Sequence, residues 1–265
     1  MAEAAIRVGI GGWVFEPWRG TFYPDGLTQK RELEYASSKL STIEINGTYY
    51  GSQKPESFRK WRAETPDGFV FSLKGPRFAT NRRVLAEAGP SIEKFFESGV
   101  TELKEKLGVL NWQFAGTKKF DPDDFAAFLD LLPKSHDGIA LRHAVEVRND
   151  SFRTQEFIAL VREHDVAVVT AADSDYTQIG DVTAPFVYAR IMGTEEKEKL
   201  GYSKKALDTW AARAKDWAKG EVPNGIDAVA AKKASKPVRD VFLYVISGAK
   251  VRNPLAAMAI ADRLK

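Results

Sequence analysis

Short apolar strands alternate with amphipathic helices about eight times along this chain of 265 residues, and no linker of distinct composition divides the series. Alternation of this kind favours parallel βα units, because a parallel strand pair needs a crossover that a helix supplies. Eight such units within about 250 residues is the size of a closed TIM-like barrel. The expected fold class is therefore α/β, a TIM-like (β/α) barrel forming a single domain over residues 1–265. A doubly wound open sheet is the alternative.

The predicted strands are Ile6–Ile10, Thr42–Asn46, Phe69–Lys74, Val109–Phe114, Leu141–Arg148, Val166–Ala171, Pro185–Ile191 and Val241–Ile246. Helices are expected over Thr28–Lys39, Pro55–Ala63, Ser91–Leu107 and Thr154–Glu163. Others should start at Asp121-Pro122, which places a cap before a proline at the first helical position, at Ser203, ending at Gly220, and at Asn253-Pro254. The segment Glu221–Asp240, rich in Ala and Lys, breaks the rhythm. It reads as a surface insertion with a short helix at Ile226–Lys233.

In a barrel the helices cover the outside, so the apolar face of each strand should point outward and its polar face inward. This places Arg7, Glu44, Asn46, Lys74, Gln113, Glu146, Arg148 and Arg190 toward the interior, with Asp173 just beyond a strand end. Asn46, Lys74, Gln113, Arg148, Asp173 and Arg190 lie nearest the carboxyl ends, where barrel enzymes keep their chemistry. Trp13, Trp18, Tyr23, Tyr49 and Tyr50 come from the adjoining loops, to stack on a ligand or to cap the mouth. Burying so many charges is costly unless each is paired; Glu44 with Arg7 and Glu146 with Arg190 are the natural core pairs.

As chemistry, carboxylates amid cations suggest acid–base work on a small anionic or polyhydroxylated substrate. Glu146, Glu44 and Asp173 are the candidate catalytic groups, and the proton affinity of Glu146 is held down by Arg148 or Arg190. Asn46, Lys74, Gln113, Arg148, Arg190, Trp13, Trp18, Tyr23 and Tyr49 are the candidate binding residues. A hydrolase, lyase or isomerase without a cofactor is the first reading. A nucleic-acid-binding or nuclease-like barrel, from aromatic loops beside basic residues, is the second; a non-catalytic ligand-binding barrel is the third.

Composition excludes several other classes. With no cysteine there is no disulfide, thiolate zinc site or thiol nucleophile. The three histidines, His136, His143 and His164, fall away from the carboxyl ends of the strands and show no paired-ligand spacing, so no metal is expected, although a carboxylate-only magnesium site stays open. No apolar run approaches the roughly 18 residues of a membrane span, and with no signal-peptide core a cytoplasmic location is expected. Net charge of +3 is too small to imply nucleic acid by itself. Gly9-Ile10-Gly11-Gly12 fails as a dinucleotide fingerprint, since its third glycine falls at Val14 and Pro17-Trp18 stand where the helix should begin.

Several stretches resemble the YecE-like proteins, the family called domain of unknown function 72. They are Gly12-Trp13 followed by Trp18-Arg19-Gly20-Thr21-Phe22-Tyr23-Pro24, then Glu44-Ile45-Asn46-Gly47-Thr48-Tyr49-Tyr50, Phe71-Ser72-Leu73-Lys74 and Ala144–Phe152. Tyr188–Gly193 and Tyr202–Trp210 extend the likeness over most of the chain. The resemblance implies a TIM-like barrel without an established reaction. The chain departs from the family pattern at Met192 and Asn81, where histidines are usual, at Ala115-Gly116 in place of Pro-Pro, and at Ser247, where an amide is usual. Glu44, Asn46, Lys74, Glu146, Arg148 and Arg190 are kept.

Overall fold

The structure, a computed structural model, describes residues 4–230 and 238–265. Nine strands form one sheet with every pairing parallel. They are β1 (Ile6–Gly11), β2 (Thr42–Ile45), β3 (Val70–Lys74), β4 (Leu107–Gln113), β5 (Arg142–Glu146), β6 (Ala167–Val168), β7 (Thr170–Ala172), β8 (Phe186–Ile191) and β9 (Asp240–Val245). Their order is β6-β5-β4-β3-β2-β1-β9-β8-β7. The two ends of that order are halves of one stave, separated only by Val169. Its first half pairs with β5 and its second with β8. The sheet thus closes on itself as an eight-staved barrel, as the alternation of elements demands.

Nine α-helices surround the barrel among the described residues: α1 (Glu32–Lys39), α2 (Gly47–Tyr50), α3 (Pro55–Ala63), α4 (Arg77–Thr80), α5 (Gly89–Glu97), α6 (Pro122–Asp130), α7 (Gln155–Glu163), α8 (Lys204–Ala218) and α9 (Asn253–Asp262). Side chains of Asp121, Thr154 and Ser203 accept hydrogen bonds from the first turns of α6, α7 and α8. Outside the barrel, Trp112 packs between Phe95 of α5 and Phe128 of α6, with ring centroids 5.8 Å away in both cases. Phe125, Phe152 and Phe157 form a triangle of edge contacts at 5.1–5.5 Å. Each such aromatic pair adds about 0.5–1.5 kcal/mol beyond its burial.

The expected long helix Ser91–Leu107 is instead α5 followed by 3-10 turns over Val100–Lys106. Gly99 at φ 91° ends the first piece, because glycine takes the left-handed conformation without a Cβ clash. The expected helix Thr28–Lys39 opens with a 3-10 turn at Gln29–Arg31 and becomes α-helical only from Glu32. In the segment 221–240, residues 226–228 are irregular and 229–230 form a bend rather than the expected helix, and 231–233 lie outside the described residues. Ile226 is buried, and the carboxylate of Asp181 accepts hydrogen bonds from the backbone N–H groups of Val229 and Ala230 at 2.6 and 3.0 Å. The described part of this segment is therefore docked on the barrel.

Inside the barrel, the side chains form levels. At the amino-terminal end Asp240 receives Arg142 at 3.2 Å and Arg7 at 3.6 Å, and both guanidiniums lie over the Phe242 ring. Arg7 is thus part of a bottom plug and does not pair with Glu44. Above it, Tyr244 OH bonds Thr42 and Ser72 hydroxyls at 2.8 and 2.7 Å, and its ring lies 5.0 Å from that of Tyr188. Gly9 leaves room for this level: a Cβ there would collide with the carbonyl oxygen of Thr42. The remaining interior charges gather at the carboxyl-terminal mouth.

Candidate functional site

Five strands deliver one charged cluster. Register sets Lys74 beside Asn111 and Gln113 beside Glu146, so the last inward positions of β3, β4 and β5 are neighbours. Arg190, on β8, crosses the barrel. Its guanidinium donates to Glu44 Oε1 at 3.0 Å and also to Glu146 Oε2. Glu44 Oε2 accepts from Tyr188 OH at 2.6 Å and from Asn111 Nδ2 at 3.3 Å. Arg148, just beyond β5, grips Glu146 Oε1 through Nε at 2.8 Å and Nη2 at 2.6 Å, while its other face stacks 3.9 Å from the Tyr176 ring. Lys74 Nζ donates to the Gln113 amide oxygen and lies 4.7 Å from the Tyr49 ring centroid.

Both carboxylates are fully buried. For Glu146, burial favours the neutral acid, but the charges of Arg190, Arg148 and Lys74 outweigh it and hold the pKa down to about 2. Such a group stays ionised and is a poor proton donor. Lys74 is also shifted down, which for an ammonium favours the neutral form. Burial, and next the repulsion of Arg190, lower its pKa to about 8. The Tyr188 phenol is raised well above its usual range, first by burial and then by the Glu44 charge, so it remains a donor to Glu44. Replacing Tyr188 with Phe removes a hydrogen bond to a buried charge. The expected cost is about 1.5–3 kcal/mol, read as a lower urea midpoint with an unchanged m-value; an unchanged midpoint would mean that the hydroxyl contributes nothing.

The cluster has one cation in excess. Glu44 and Glu146 supply two negative charges; Arg148, Arg190 and protonated Lys74 supply three positive ones, a net of +1. Both arginines are bound to carboxylates, whereas the lysine has only an amide oxygen and an aromatic face. Lys74 is therefore the group whose charge a ligand would complete.

The other expected site residues divide. Gln113, Arg148, Arg190, Glu44, Glu146 and Tyr49 belong to the cluster. Asn46 stands beside Gly11 at the mouth, and no hydrogen bond joins it to the cluster among the described residues. Asp173 is exposed on the rim in the left-handed conformation (φ 54°), and its carboxylate accepts from Trp210 Nε1 at 3.0 Å. Trp18, Phe22 and Tyr23 are buried together with half-buried Phe15 against Trp18, and Tyr23 OH donates to the Trp13 carbonyl at 2.5 Å. Trp13 packs edge-on to Trp61 of α3 at 5.3 Å. These three aromatics hold the first loop against the outer layer rather than lining the cradle, because its apolar residues fold back on one another.

Two residues of the cluster were missing from the expected set although the alternation carried them: Asn111, two positions before Gln113, and Tyr188, two before Arg190. Tyr176 lies in a loop and had no such signal. Of the histidines, His143 is buried outside the barrel, accepting from Trp112 Nε1 at 3.1 Å, and burial lowers its pKa to about 4. Among the described residues no group of three or more His, Asp or Glu is placed to hold a metal ion.

A closed parallel eight-staved barrel with a paired charge cluster at its carboxyl-terminal mouth defines a TIM-like barrel protein with one candidate site. Residues 7–265 match the family model described as protein of unknown function DUF72, and the chain belongs to that family. Among curated relatives, it is 28% identical over 150 residues to YecE of Escherichia coli K12, covering 56% of this chain and 50% of YecE. It is 25% identical over 114 residues to YunF of Bacillus subtilis 168, covering 41% and 39%. The chain thus matches about half the length of its curated relatives or less.

Among solved structures, a DUF72 protein from Thermotoga maritima superposes with a TM-score of 0.73 at 21% identity, covering 98% of this chain and 99% of the other. One from Enterococcus faecalis gives 0.70 at 15%, covering 99% and 98%. A structure titled SacUVDE gives 0.56 at 10%, covering 98% and 99%. These likenesses establish the fold. Among the described residues no helix is long and apolar enough to cross a membrane.

Proposed function

We propose that the barrel mouth is the site of an enzyme, of hydrolase, lyase or isomerase type, acting on a small anionic or polyhydroxylated substrate. In this reading Lys74 both receives the substrate's negative charge and donates the proton. The observation that carries it is the position of Lys74: 7% exposed, at the end of β3, and the one cation of the cluster without a carboxylate partner. Glu146, held ionised by two guanidiniums, is assigned to fixing Arg148 and Arg190 rather than to proton transfer. Asp173, tied to Trp210 on the rim, takes no part. Arg148, free on one side except for Tyr176, is placed to offer a planar fork to a carboxylate or phosphate.

The test is a thermal-shift series with sulfate, sugar phosphates and small organic acids. Sulfate does not change charge between pH 6 and 10, so its effect reports the protein group. Binding to the ammonium form is expected below pH 8 and should fade as pH rises through about 8. At a hundredfold excess over Kd the stabilisation is about 2.7 kcal/mol. A flat series, or a shift unchanged in Lys74→Met, would remove the reading.

A further inference from the structure

Beside the mouth lies a second concave surface, a groove of about 860 Å³ between the loops that follow β2 and β3 and the start of α5. It begins at Thr48, whose hydroxyl donates to the Lys74 carbonyl at 2.7 Å, so the groove and the mouth share a wall. Its lining includes Arg77, Arg82 and Lys94 and no acidic residue. Nearby Lys118 is paired with Asp124 at 3.4 Å, whereas none of these three cations makes an ion pair among the described residues. The chain as a whole carries nearly balanced charge, 39 basic against 36 acidic residues, so an acid-free groove is a local choice.

Aromatic rings accompany the cations. Tyr50 is 65% exposed and Phe78 60%, and Arg77 lies over both rings, 5.8 and 5.4 Å from their centroids. Tyr49, which carries Lys74 on its face, meets Tyr50 edge-on at 5.1 Å. Large apolar rings left this open cost solvation without adding to the core. An enclosed small-molecule pocket buries most of its ligand, and these rings stand at the rim with no wall over them. Exposed rings beside unpaired cations are the arrangement that binds single-stranded nucleic acid, bases stacking on the rings and phosphates meeting the cations.

We propose that the groove lined by Arg77, Phe78, Arg82 and Lys94, with Tyr50 at its edge, binds single-stranded nucleic acid. The proposal stands apart from the proposed reaction at Lys74. Each base would stack on Tyr50 or Phe78, and the backbone would run past the three cations.

The test is fluorescence anisotropy of a labelled oligothymidylate of roughly ten nucleotides. Three phosphate contacts at about 0.7 each predict affinity about 20-fold weaker at 200 mM than at 50 mM salt. Phe78→Ala, at an exposed position, should weaken binding at least about fivefold. Arg77→Glu and Lys94→Glu should weaken it and flatten the salt dependence. Lys219→Glu, at the far end of α8, and Lys74→Met should leave it nearly unchanged. Absence of binding at 50 mM salt would overturn the proposal. So would equal affinity for thymidine monophosphate, which would make this a small-nucleotide pocket, or full affinity in Phe78→Ala, which would leave only diffuse charge attraction.

Discussion

Replacing Arg190 with alanine is expected to cost the fold about 3–5 kcal/mol, the range for removing one partner of a buried ion pair. Arg190 is the only side chain that touches both buried carboxylates of the described cluster with opposite charge, reaching Glu44 Oε1 at 3.0 Å as well as Glu146. Without it Glu44 keeps only the neutral donors Tyr188 and Asn111, and Glu146 keeps Arg148 on one oxygen and a long Asn111 amide contact, 3.5 Å, on the other. A domain's whole stability is about 5–15 kcal/mol, so the variant should approach the margin of folding. Urea denaturation at pH 7 measures the loss directly.

The pH dependence separates electrostatics from packing. The folded pKa of Glu146, about 2, lies below its ordinary value of 4.5. A depressed carboxyl contributes stability that is complete above the unfolded pKa and is lost as pH falls from about 4.5 toward 2. The contribution is on the order of 3 kcal/mol. Without Arg190 much of that depression disappears, so the gap between the two proteins should narrow as pH drops from 7 to 3. A gap that stays constant would assign the loss to the missing side-chain volume.

The second large effect concerns Lys74. With a substrate class found by the ligand series, Lys74→Met should lower turnover by about 10²–10⁴-fold, the usual share of a general acid. The kcat/KM of the native protein should fall as pH rises through about 8, where the ammonium is lost. Lys74→Arg keeps the charge but cannot release a proton near neutrality. It should therefore retain anion binding, lose turnover and lack that alkaline limb. Turnover retained by Lys74→Arg would reduce Lys74 to a binding group.

Fold and site were legible to different depths. Parallel βα units followed from alternation, because period 2 in a strand and 3.6 in a helix are local properties of the chain, and the count of eight favoured a barrel over an open sheet. The same period told which residues face inward, and Glu44, Lys74, Gln113, Glu146 and Arg190 all do. It does not say at which level of the barrel each sits: Arg7 and Glu44 share the inward face, yet Arg7 lies with Asp240 at the bottom. Nor could the first loop's composition show whether Trp13, Trp18 and Tyr23 turn toward the mouth or against α1 and α3.

What the sequence by itself determined was a run of parallel βα units and the polar character of one strand face, since both rest on spacing along the chain; closure of the sheet shows only in the pairing of its two ends. The tertiary structure alone decided which charges meet. Glu44 and Arg190 are 146 residues apart and become partners only when the sheet closes. That closure gives both carboxylates to arginines and leaves Lys74 over, and it lowers one pKa to about 2 and the other to about 8 through burial and neighbours no local pattern records.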